Sequence, residues 1–285
     1  MDLSQIEDFL ELARTLNFSR AAEGRNMTQP AFSRRIRALE DAIGTPLTQR
    51  TTRSVTLTQA GRAFLPRAEA LVRMAQDART EALAAAGLAQ KTLTLAATHA
   101  LSYTFVPRWL MGIYGAATAG TLNLVSDSFQ SCLQLMARGE AQFFISHRGL
   151  GEAPAALQAF RTITIGQDIL LPLCAPDKDG EPMWRPGPDA PLLAYAPASG
   201  LHAILQGVAG QVRMRSVLAA SNLELAKSGQ GIAWLPLTLA QDALDSGALV
   251  RASDSDQVPV DIVLHRPRAR LSAHCEAVWD RAAAT

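Results

Sequence analysis

The chain has 285 residues, about the length of two average domains, and contains 48% hydrophobic and 19% charged residues. This is an ordinary globular composition, which excludes an intrinsically disordered chain. The formal net charge is +1, from 27 basic and 26 acidic residues, so bulk positive charge cannot carry binding to nucleic acid. Of the 27 basic residues 24 are Arg, a bias that is typical of a GC-rich genome and that also suits bidentate contacts to phosphates and bases.

The sequence indicates a soluble, cytoplasmic chain that contacts no membrane. Its longest uncharged stretch, residues 110–126, is interrupted by Gly and Asn and is shorter than the ~18 apolar residues of a membrane helix. The acidic residues Glu7, Asp8 and Glu11 lie where a signal peptide has its basic region. Three widely separated cysteines disfavour a disulfide framework and a Cys-x-x-Cys metal site, so we expect no metal and no cofactor.

The N-terminal region has the pattern of three short helices. Residues 3–16 are amphipathic, and residues 19–25 include two small alanines that favour close helix packing. The third helix is predicted over residues 29–43, because Pro30 is tolerated in a first turn and Gly44 is the typical residue after a helix end.

The third helix has two distinct faces. Its apolar residues are spaced by 4, 3 and 4 positions and form one stripe, which consists of Phe32, Ile36, Leu39 and Ile43. The opposite face carries Pro30, Arg34, Arg37 and Asp41, with Ser33 at its edge. A helix that starts with the polar Thr28 and Gln29 and continues with Arg suits insertion into a DNA major groove, where its first residues reach base edges.

A two-stranded wing is predicted after the third helix, over residues 45–58. Arg50 and Arg53 lie near its tip, where an Arg side chain can enter a minor groove. Between Arg14 and Arg53 there are eight Arg and only three acidic residues. Such a charge surplus also describes a helical module with a solvated basic face, but the wing and the long helix after it favour DNA binding. The predicted DNA-binding domain is residues 1–58.

Residues 59–90 are predicted to form one long linker helix. Apolar residues recur from Phe64 to Ala85 in alternating steps of four and three, which is the spacing of a coiled-coil seam. A helix of about 30 residues spans about 45 Å and is too long to be hidden inside one small domain. We therefore expect the seam to pack against a second copy of the chain.

Residues 91–285 alternate short apolar runs with helical patterns. The predicted strands are 92–97, 121–125, 142–146, 170–175, 192–195, 231–235 and 259–265, and the predicted helices include 106–114, 128–138, 200–208 and 237–246. This alternation predicts an α/β region with parallel sheets, in which ligands bind at the carboxyl ends of strands. Two lobes are expected, one of about residues 91–163 and 267–285 and the other of about 164–266.

The N-terminal motifs resemble those of LysR-type transcriptional regulators. The matching residues are Ala21-Ala22, Thr28-Gln29-Pro30-Ala31-Phe32-Ser33-Arg34-Arg35-Ile36, Leu39-Glu40, Gly44, Arg50 and Leu57-Thr58-Gln59-Ala60-Gly61. The whole chain is similar to this family in its order of parts: a winged helix-turn-helix, a linker helix, and a two-lobed effector domain like that of periplasmic binding proteins.

This resemblance implies a sequence-specific regulator that binds promoter DNA and is switched by a small molecule in the cleft between the lobes. It implies self-association as a dimer or a homotetramer, with RNA polymerase as a further partner. It also implies that major-groove contacts come from Thr28, Gln29, Pro30, Ser33 and Arg34, and that Arg53 makes the wing contact.

The resemblance further places the effector cleft next to the strand ends and the hinge. The residues expected there are Thr98, His99, Leu101, Ser102, Ser126, Ser146, His147, Ser199 and Ser221. A role in capping helices is an equal alternative for Thr98 and Ser102, because hydroxyls cap helices without any ligand.

Part of the chain is also similar to the hypochlorite-responsive branch of the family, in which oxidation of methionine activates the protein. The shared residues are Arg25-Asn26, Pro30 to Glu40, Thr98 to Ser102 and Gly231 to Pro236. Leu201 and Asn222 stand where that branch has Met, so we expect the Met residues of this chain to fill its core. Activation by oxidation is therefore the alternative to activation by a bound effector.

Two other classes of protein are disfavoured. No phosphate-binding loop, nucleophile elbow, zinc-protease or dinucleotide motif is present, so the chain is not expected to be an enzyme. A sequence-tolerant architectural DNA binder has little need for a large, neutral second region. Thr48 departs from the family pattern, which has Phe there, and we expect this change to loosen a small core contact.

Overall fold

The computed structural model describes residues 1–50, 55–85, 92–113, 120–151 and 155–284. The chain divides into two compact units, of which the first is Met1–Ala89 with Ala137–Gly139 and the second is Gln90–Met136 with Glu140–Thr285. None of the helices in the described ranges is long and apolar enough to cross a membrane.

The first unit contains four helices and a two-stranded sheet. Its elements are α1 (Leu3–Thr15), α2 (Phe18–Gly24), α3 (Gln29–Ile43), β1 (Thr48–Arg50), β2 (Val55–Leu57) and α4 (Gln59–Ala85). Local capping sets these bounds: Asn17 Oδ1 accepts the first amide hydrogens of α2, and Gly44 ends α3 with a φ of 84°. The predicted bounds of α3 are confirmed, and two short paired strands lie within the predicted wing, residues 45–58.

The core of the first unit lies between α1, α2 and α3. The predicted apolar stripe of α3 is confirmed, since Phe32, Ile36 and Leu39 are fully buried. The rings of Phe18 and Phe32 meet edge to face, with 5.9 Å between their centroids. This packing holds α3 in place and leaves its opposite face exposed.

The linker helix α4 joins this core only through its first half. Ala68 and Val72 are buried against the helices of the first unit, whereas Leu71, Met74 and Ala82 are exposed. The predicted seam therefore begins in the core of the unit and continues as an exposed apolar strip. Residues 86–91, where we expected α4 to end, lie outside the described residues.

Close backbone contact fixes the start of α4 against the wing. Thr58 donates its amide hydrogen to Leu47 O at 3.0 Å, and its hydroxyl oxygen accepts from Gly61 N at 2.9 Å. A Cβ atom on Gly61 would lie only 2.0 Å from Leu47 O. Only glycine allows this approach without a shift of the backbone.

The second unit is built on one nine-stranded sheet. Its strands are β3 (Thr92–Thr98), β4 (Thr121–Asp127), β5 (Phe143–Arg148), β6 (Phe160–Cys174), β7 (Pro191–Tyr195), β8 (Gln211–Ser216), β9 (Ile232–Pro236), β10 (Val250–Arg251) and β11 (Val258–Pro267). Its helices are α5 (His99–Thr104), α6 (Val106–Ile113), α7 (Phe129–Ala137), α8 (Gly200–Ile204), α9 (Ala219–Lys227), α10 (Leu237–Asp245) and α11 (Ala273–Ala284), with a 3-10 turn at Ala155–Ala159.

The strand order is β4-β3-β5-β11-β6-β9-β7-β8, and β10 pairs with β6. Lobe 1 contains β4, β3 and β5, lobe 2 contains β9, β7 and β8, and the long strands β6 and β11 run through both. The expectation of purely parallel sheets is wrong at the centre, where β11 is antiparallel to both β5 and β6 and β6 is antiparallel to β9. The outer pairs are parallel, as predicted.

The crossing between the lobes, which we term the hinge, is marked by a break in strand register. The pairing of β11 with β6 shifts between Ile262 and Val263, opposite Gly166. Residues 261–265 of β11 pair with β5 of lobe 1 on one side and with β6 on the other. Strand β8 was not predicted, although Val212 and Met214 alternate with polar residues; nearly all of its residues are exposed.

The C-terminal helix is held to lobe 1 by a buried ion pair. Arg266 is almost fully buried, and its two terminal nitrogens donate to the two Glu276 oxygens at 2.6 and 2.7 Å. The hydrogen bond from Arg266 lowers the pKa of Glu276 below its usual value, although partial burial opposes this. The guanidinium also lies 5.3 Å from the centre of the Trp279 ring.

We predict that Gly61→Ala destabilises the first unit by about 1–3 kcal/mol, because the new methyl group forces α4 away from Leu47. Thermal unfolding of the purified chain measures this effect. Gly112→Ala is the matched control, since the added methyl in α6 meets nothing within 4 Å. That variant should be as stable as the parent chain or slightly more stable. An unchanged midpoint for Gly61→Ala would contradict the close approach.

We predict that Glu276→Gln lowers the free energy of unfolding at pH 7 by about 1.5–3 kcal/mol, because Arg266 loses its charged acceptor. A carboxyl with a lowered folded pKa stabilises the protein above its unfolded pKa, and this stabilisation is lost as the pH falls through the folded pKa. The difference between variant and parent should therefore shrink in acid. Urea unfolding at pH 7 and below about pH 4 tests this, with the exposed Asp280→Asn on the same helix as control. A difference in unfolding free energy that stays constant across this pH range would refute the stabilising role assigned to the Arg266–Glu276 ion pair.

Candidate functional site

The exposed face of α3 is the first candidate site. Thr28 occupies the cap position of the helix without a side-chain capping bond, and it is exposed together with Gln29 and Pro30. Arg34 and Arg37 extend the same surface, and among the described residues neither pairs with a carboxylate. Five of the predicted contact residues are thus brought together on one accessible face.

Ser33 differs from the other predicted residues of α3 because it is mostly buried. Only 8% of its surface is exposed, and its hydroxyl oxygen accepts a hydrogen bond from Gln29 Nε2 at 3.2 Å. The serine stands at the boundary between the apolar stripe and the exposed face. It supports Gln29, and its own hydroxyl is largely covered.

A buried carboxylate orients the helices behind this face. Asp8 of α1 is fully buried and accepts hydrogen bonds from Arg25 Nε at 2.8 Å and from Arg35 Nε. Arg25 also pairs with Glu7 at 2.7 Å. Arg35 is therefore turned inward, although it lies next to the exposed Arg34 in sequence. No local pattern identifies this cluster, because its members are 17 and 27 positions apart.

The wing contributes a polar contact at its base. Thr48 donates its hydroxyl hydrogen to Glu40 Oε1 at 3.0 Å, and the same oxygen accepts the amide hydrogens of Leu47 and Thr48 at 2.9 Å. Thr48 thus makes a hydrogen bond to α3 at the position where the family has Phe. The side chain of Arg50 and the whole of Arg53 lie outside the described residues.

The second candidate site, which we term the front cavity, lies between the lobes. Its walls are the ends of β3 and β4, the first turns of α5, α7, α8 and α9, and the hinge end of β5. The lining residues are Thr98, His99, Ala100, Asp127, Ser128, Phe129, His147, Ser199, Gly200, Leu201, Val217 and Ala219. Its volume is about 30 Å³, close to that of one water molecule in the liquid.

The two lobes are already in contact across the front cavity. A Cβ atom on Gly200 of lobe 2 would lie 2.9 Å from the ring of Phe129 of lobe 1. Thr98 Oγ1 is buried there without a hydrogen-bond partner among the described residues. The lobes therefore meet at this wall, and Thr98 Oγ1 is a buried polar atom available there.

Four of the predicted effector residues line the front cavity: Thr98, His99, His147 and Ser199. Ser102 and Ser126 lie beside it and are joined to each other, with 2.8 Å between their hydroxyl oxygens. His99 Nδ1 lies 3.1 Å from Ser126 Oγ, so these two serines border the cavity through His99.

Three other predicted effector residues are not part of the lining. Leu101 is fully buried in the core of lobe 1, because it faces inward from α5. Ser146 points to the opposite face of β5, where its hydroxyl oxygen lies 3.0 Å from His265 Nε2. Burial and the nearby Arg148 lower the pKa of His265 to about 4. Ser221 follows the α9 residue that lines the cavity, Ala219, but does not itself line it.

Sequence reasoning missed the hinge contacts of His147. Its Nε2 lies 3.2 Å from Asp168 Oδ2 of β6, and both side chains are almost fully buried. Asp168 Oδ2 also accepts from Thr238 Oγ1 at 2.6 Å. A second space, which we term the rear groove, lies on the other side of this pair. It has a volume of about 860 Å³, and its walls include Asp168 and Thr238. These residues come from three separate parts of the chain.

The expectation that methionines fill the core is largely wrong. Met136 is fully buried and Met27 is half-buried, but Met74, Met111, Met183 and Met214 are exposed by 45% or more. Leu201 and Asn222 are both buried. The three cysteines are buried as well, and burial, with the nearby Asp127, raises the pKa of Cys132 to about 12.

The described residues contain no group of three or more His, Cys, Asp or Glu side chains placed to hold a metal ion. A helical unit with an exposed Arg-bearing helix and a wing, followed by a two-lobed α/β unit with a cavity between the lobes, defines a DNA-binding transcriptional regulator with a ligand-binding domain.

Comparison with known proteins gives the family. Residues 3–62 match the family described as "Bacterial regulatory helix-turn-helix protein, lysR family", and residues 86–285 match the "LysR substrate binding domain". The chain belongs to the LysR family of transcriptional regulators. It is a LysR-type regulator with a DNA-binding helix-turn-helix and an effector-binding domain.

Several relatives match over the full length of the chain. The HTH-type transcriptional regulator YjiE of Escherichia coli strain K12 is 31% identical over 281 residues, which are 95% of this chain and 91% of that protein. DarR of Vibrio fischeri, solved in complex with DNA, is 28% identical with a TM-score of 0.57 and covers 100% and 99% of the two chains. Full-length HypT of Salmonella typhimurium, described as a hypochlorite-specific LysR-type transcriptional regulator, is 26% identical with a TM-score of 0.58 and covers 100% and 98%.

Proposed function

We propose that this regulator binds promoter DNA by placing the exposed face of α3 in the major groove. The observation that carries this proposal is the division of the arginines of α3. Arg35 is held by the buried Asp8, whereas Arg34 and Arg37 are exposed and unpaired among the described residues. Thr28, Gln29 and Pro30 begin the helix on the same side and are placed to meet base edges.

In this proposal the remaining DNA contacts are less base-specific. Arg37, one turn beyond Arg34, binds phosphate, Arg50 and Arg53 of the wing reach the minor groove, and Ser33 acts by supporting Gln29. The DNA complex of the similar DarR supports binding through this unit. The proposed domain limits are residues 1–58, 59–90 and 91–285.

Self-association is proposed through the exposed strip of α4. Leu71, Met74 and Ala82 lie on the part of the helix that leaves the core of the first unit. Covering such a strip with the same strip of a second copy buries its apolar surface, which favours a dimer and, through further contacts, a tetramer. A cytoplasmic location and contact with RNA polymerase are part of the same proposal.

The front cavity is proposed as the effector site, with Thr98, His99, His147 and Ser199 in its wall. Because its volume of about 30 Å³ holds no more than about one water molecule, an effector of ordinary size must separate the lobes. Binding then shifts the population toward a more open arrangement, which changes the spacing of the DNA-binding units.

Activation by oxidation is the second candidate function. Four methionines are exposed, which makes them accessible to oxidants, and the similar HypT is described as hypochlorite-specific. Leu201 and Asn222 stand where that branch has Met, so in this proposal oxidation occurs at other methionines of this chain.

We predict that Arg34→Ala weakens specific DNA binding by about 1–3 kcal/mol and relaxes base preference, because a base-edge contact is lost. Its thermal stability should not change. Arg35→Ala is the matched variant, since it removes a partner of the buried Asp8 and should lower the unfolding midpoint. Fluorescence anisotropy on a site selected from random DNA, together with thermal unfolding, measures both. Unchanged affinity and base preference in Arg34→Ala would defeat the assignment of α3.

We predict that a specific effector raises the unfolding midpoint of the full-length chain. At about 100 times its Kd, a ligand adds about 2.7 kcal/mol of stability. Small carboxylates, aromatic compounds and amino acids are the probes, with mild oxidant as a parallel arm. The shift should disappear in Thr98→Val and persist in Ser221→Ala, which lies outside the lining. A shift that survives Thr98→Val places the ligand elsewhere, and a change caused only by oxidant favours the second candidate.

A further inference from the structure

A buried hydrogen-bonded pair lies at the point where the chain passes between the lobes. His147 is at the hinge end of β5, and Asp168 is in β6, close to the register break opposite Gly166. His147 Nε2 and Asp168 Oδ2 are 3.2 Å apart, and the side chains are 3% and 1% exposed. Taking the Asp168 carboxylate out of water costs free energy, so its burial at the hinge requires further hydrogen-bond donors.

Asp168 also holds the first turn of α10 in lobe 2. Thr238 donates its hydroxyl hydrogen to Asp168 Oδ2 at 2.6 Å and its amide hydrogen to Oδ1 at 3.2 Å. Pro236, at the cap position of α10, makes no side-chain capping bond. Asp168 therefore caps this helix from a strand 70 residues away.

A contact with lobe 1 completes this series of groups. Thr104 Oγ1 of α5 lies 3.4 Å from Thr238 Oγ1, while its hydroxyl hydrogen is donated to Ala100 O at 3.0 Å. The groups thus run from His147 in lobe 1 through Asp168 in the hinge to Thr238 in lobe 2, and back to lobe 1 at Thr104. A change in lobe angle must lengthen at least one of these contacts.

The same pair lies between the front cavity and the rear groove. His147 lines the front cavity, and Asp168 and Thr238 line the rear groove. A ligand that enters the front cavity therefore contacts the imidazole of His147. The Nε2 atom of the same ring is hydrogen-bonded to Asp168. No other pair of hydrogen-bonded side chains among the described residues connects the walls of both spaces.

We propose that Asp168 is the positioning residue that transmits occupancy of the front cavity to α10 and so sets the lobe angle. This inference rests on the proposed role of the front cavity as the effector site. When a ligand displaces His147, Asp168 loses one donor and must move with the imidazole or reorganise. Thr238 and the start of α10 follow, because Asp168 holds both their hydroxyl and their amide.

The electrostatics of Asp168 support this role. Burial raises the pKa of its carboxyl, but the hydrogen bonds from His147 and Thr238 more than offset this, so its pKa lies below the usual value. The group is an anion at neutral pH. A buried anion that loses a donor is strongly destabilised, so the network favours two discrete arrangements over a gradual loosening.

The test compares lobe distances in variants of the full-length chain. Gln130→Cys on lobe 1 and Lys178→Cys on lobe 2 place spin labels at exposed positions. The three native cysteines are buried, and burial raises the pKa of each thiol, so they remain unlabelled. Doubly labelled chains are mixed with excess unlabelled chains, and pulsed electron resonance gives the distance between the lobes.

Thr238→Val removes the hydroxyl that donates to Asp168 at nearly constant volume. His147→Leu removes the imidazole that donates to Asp168. Each is expected to shift the mean distance by about 2 Å or more, the size of shifts in switching proteins. Thr238→Ser restores the hydroxyl and should restore the parent distance. Ser246→Ala is the control, because that hydroxyl bonds only within the end of α10, to Ala243 O at 3.3 Å.

A lowered unfolding midpoint with unchanged distances in both Thr238→Val and His147→Leu would show a merely structural role and overturn the proposal. The bend angle of bound DNA, measured by energy transfer between its ends, separates this failure from that of the proposed function. A shifted lobe distance with an unchanged bend leaves Asp168 in its role and refutes the link from lobe angle to DNA. A shift in both supports both.

Discussion

The antiparallel pairing of β6 with β11 is the constraint on which the second unit depends. Both strands pass from one lobe to the other without interruption, and they stay paired from Phe160 to Leu170 of β6. A change in lobe angle must therefore be absorbed inside a hydrogen-bonded ladder, at the register shift between Ile262 and Val263. This explains why the lobes have a defined angle, and why residues near the shift have most influence on it.

Buried carboxylates connect distant parts of the chain in both units. Asp8 joins α1 to the arginines of α2 and α3, and Asp168 joins the hinge to α10. A buried carboxylate adds little net stability, because desolvation offsets most of its attraction to its partners. Its demand for donors nevertheless makes misplaced arrangements unfavourable. In the first unit this demand turns Arg35 inward, so a structural contact decides that Arg34 and not Arg35 is exposed.

The sequence predicted features that are local and missed those that depend on register. The bounds of α3, its buried stripe and the wing follow from caps and periodicity within about 15 residues. Ser146 and His147 are adjacent, and only the register of β5 with β11 decides that His147 faces the cavity. Leu101 and Ser221 were expected at the cavity and do not line it, since a family pattern gives a position along a helix but not the face that packs. Exposed Met74 and Met111 show that apolar character alone does not establish burial.

In the proposed mechanism the narrow front cavity leaves the control of effector affinity outside the cavity itself. Where a ligand binds only an open arrangement, its apparent Kd is its intrinsic Kd divided by the open fraction. The contact of Gly200 with Phe129 and the hydrogen bonds of Asp168 both favour the closed lobes. Residues that never touch the effector therefore set how much of it is needed. Substitutions in the lining of the front cavity can then change the affinity for the effector, whereas substitutions at the hinge change the response of the lobe angle.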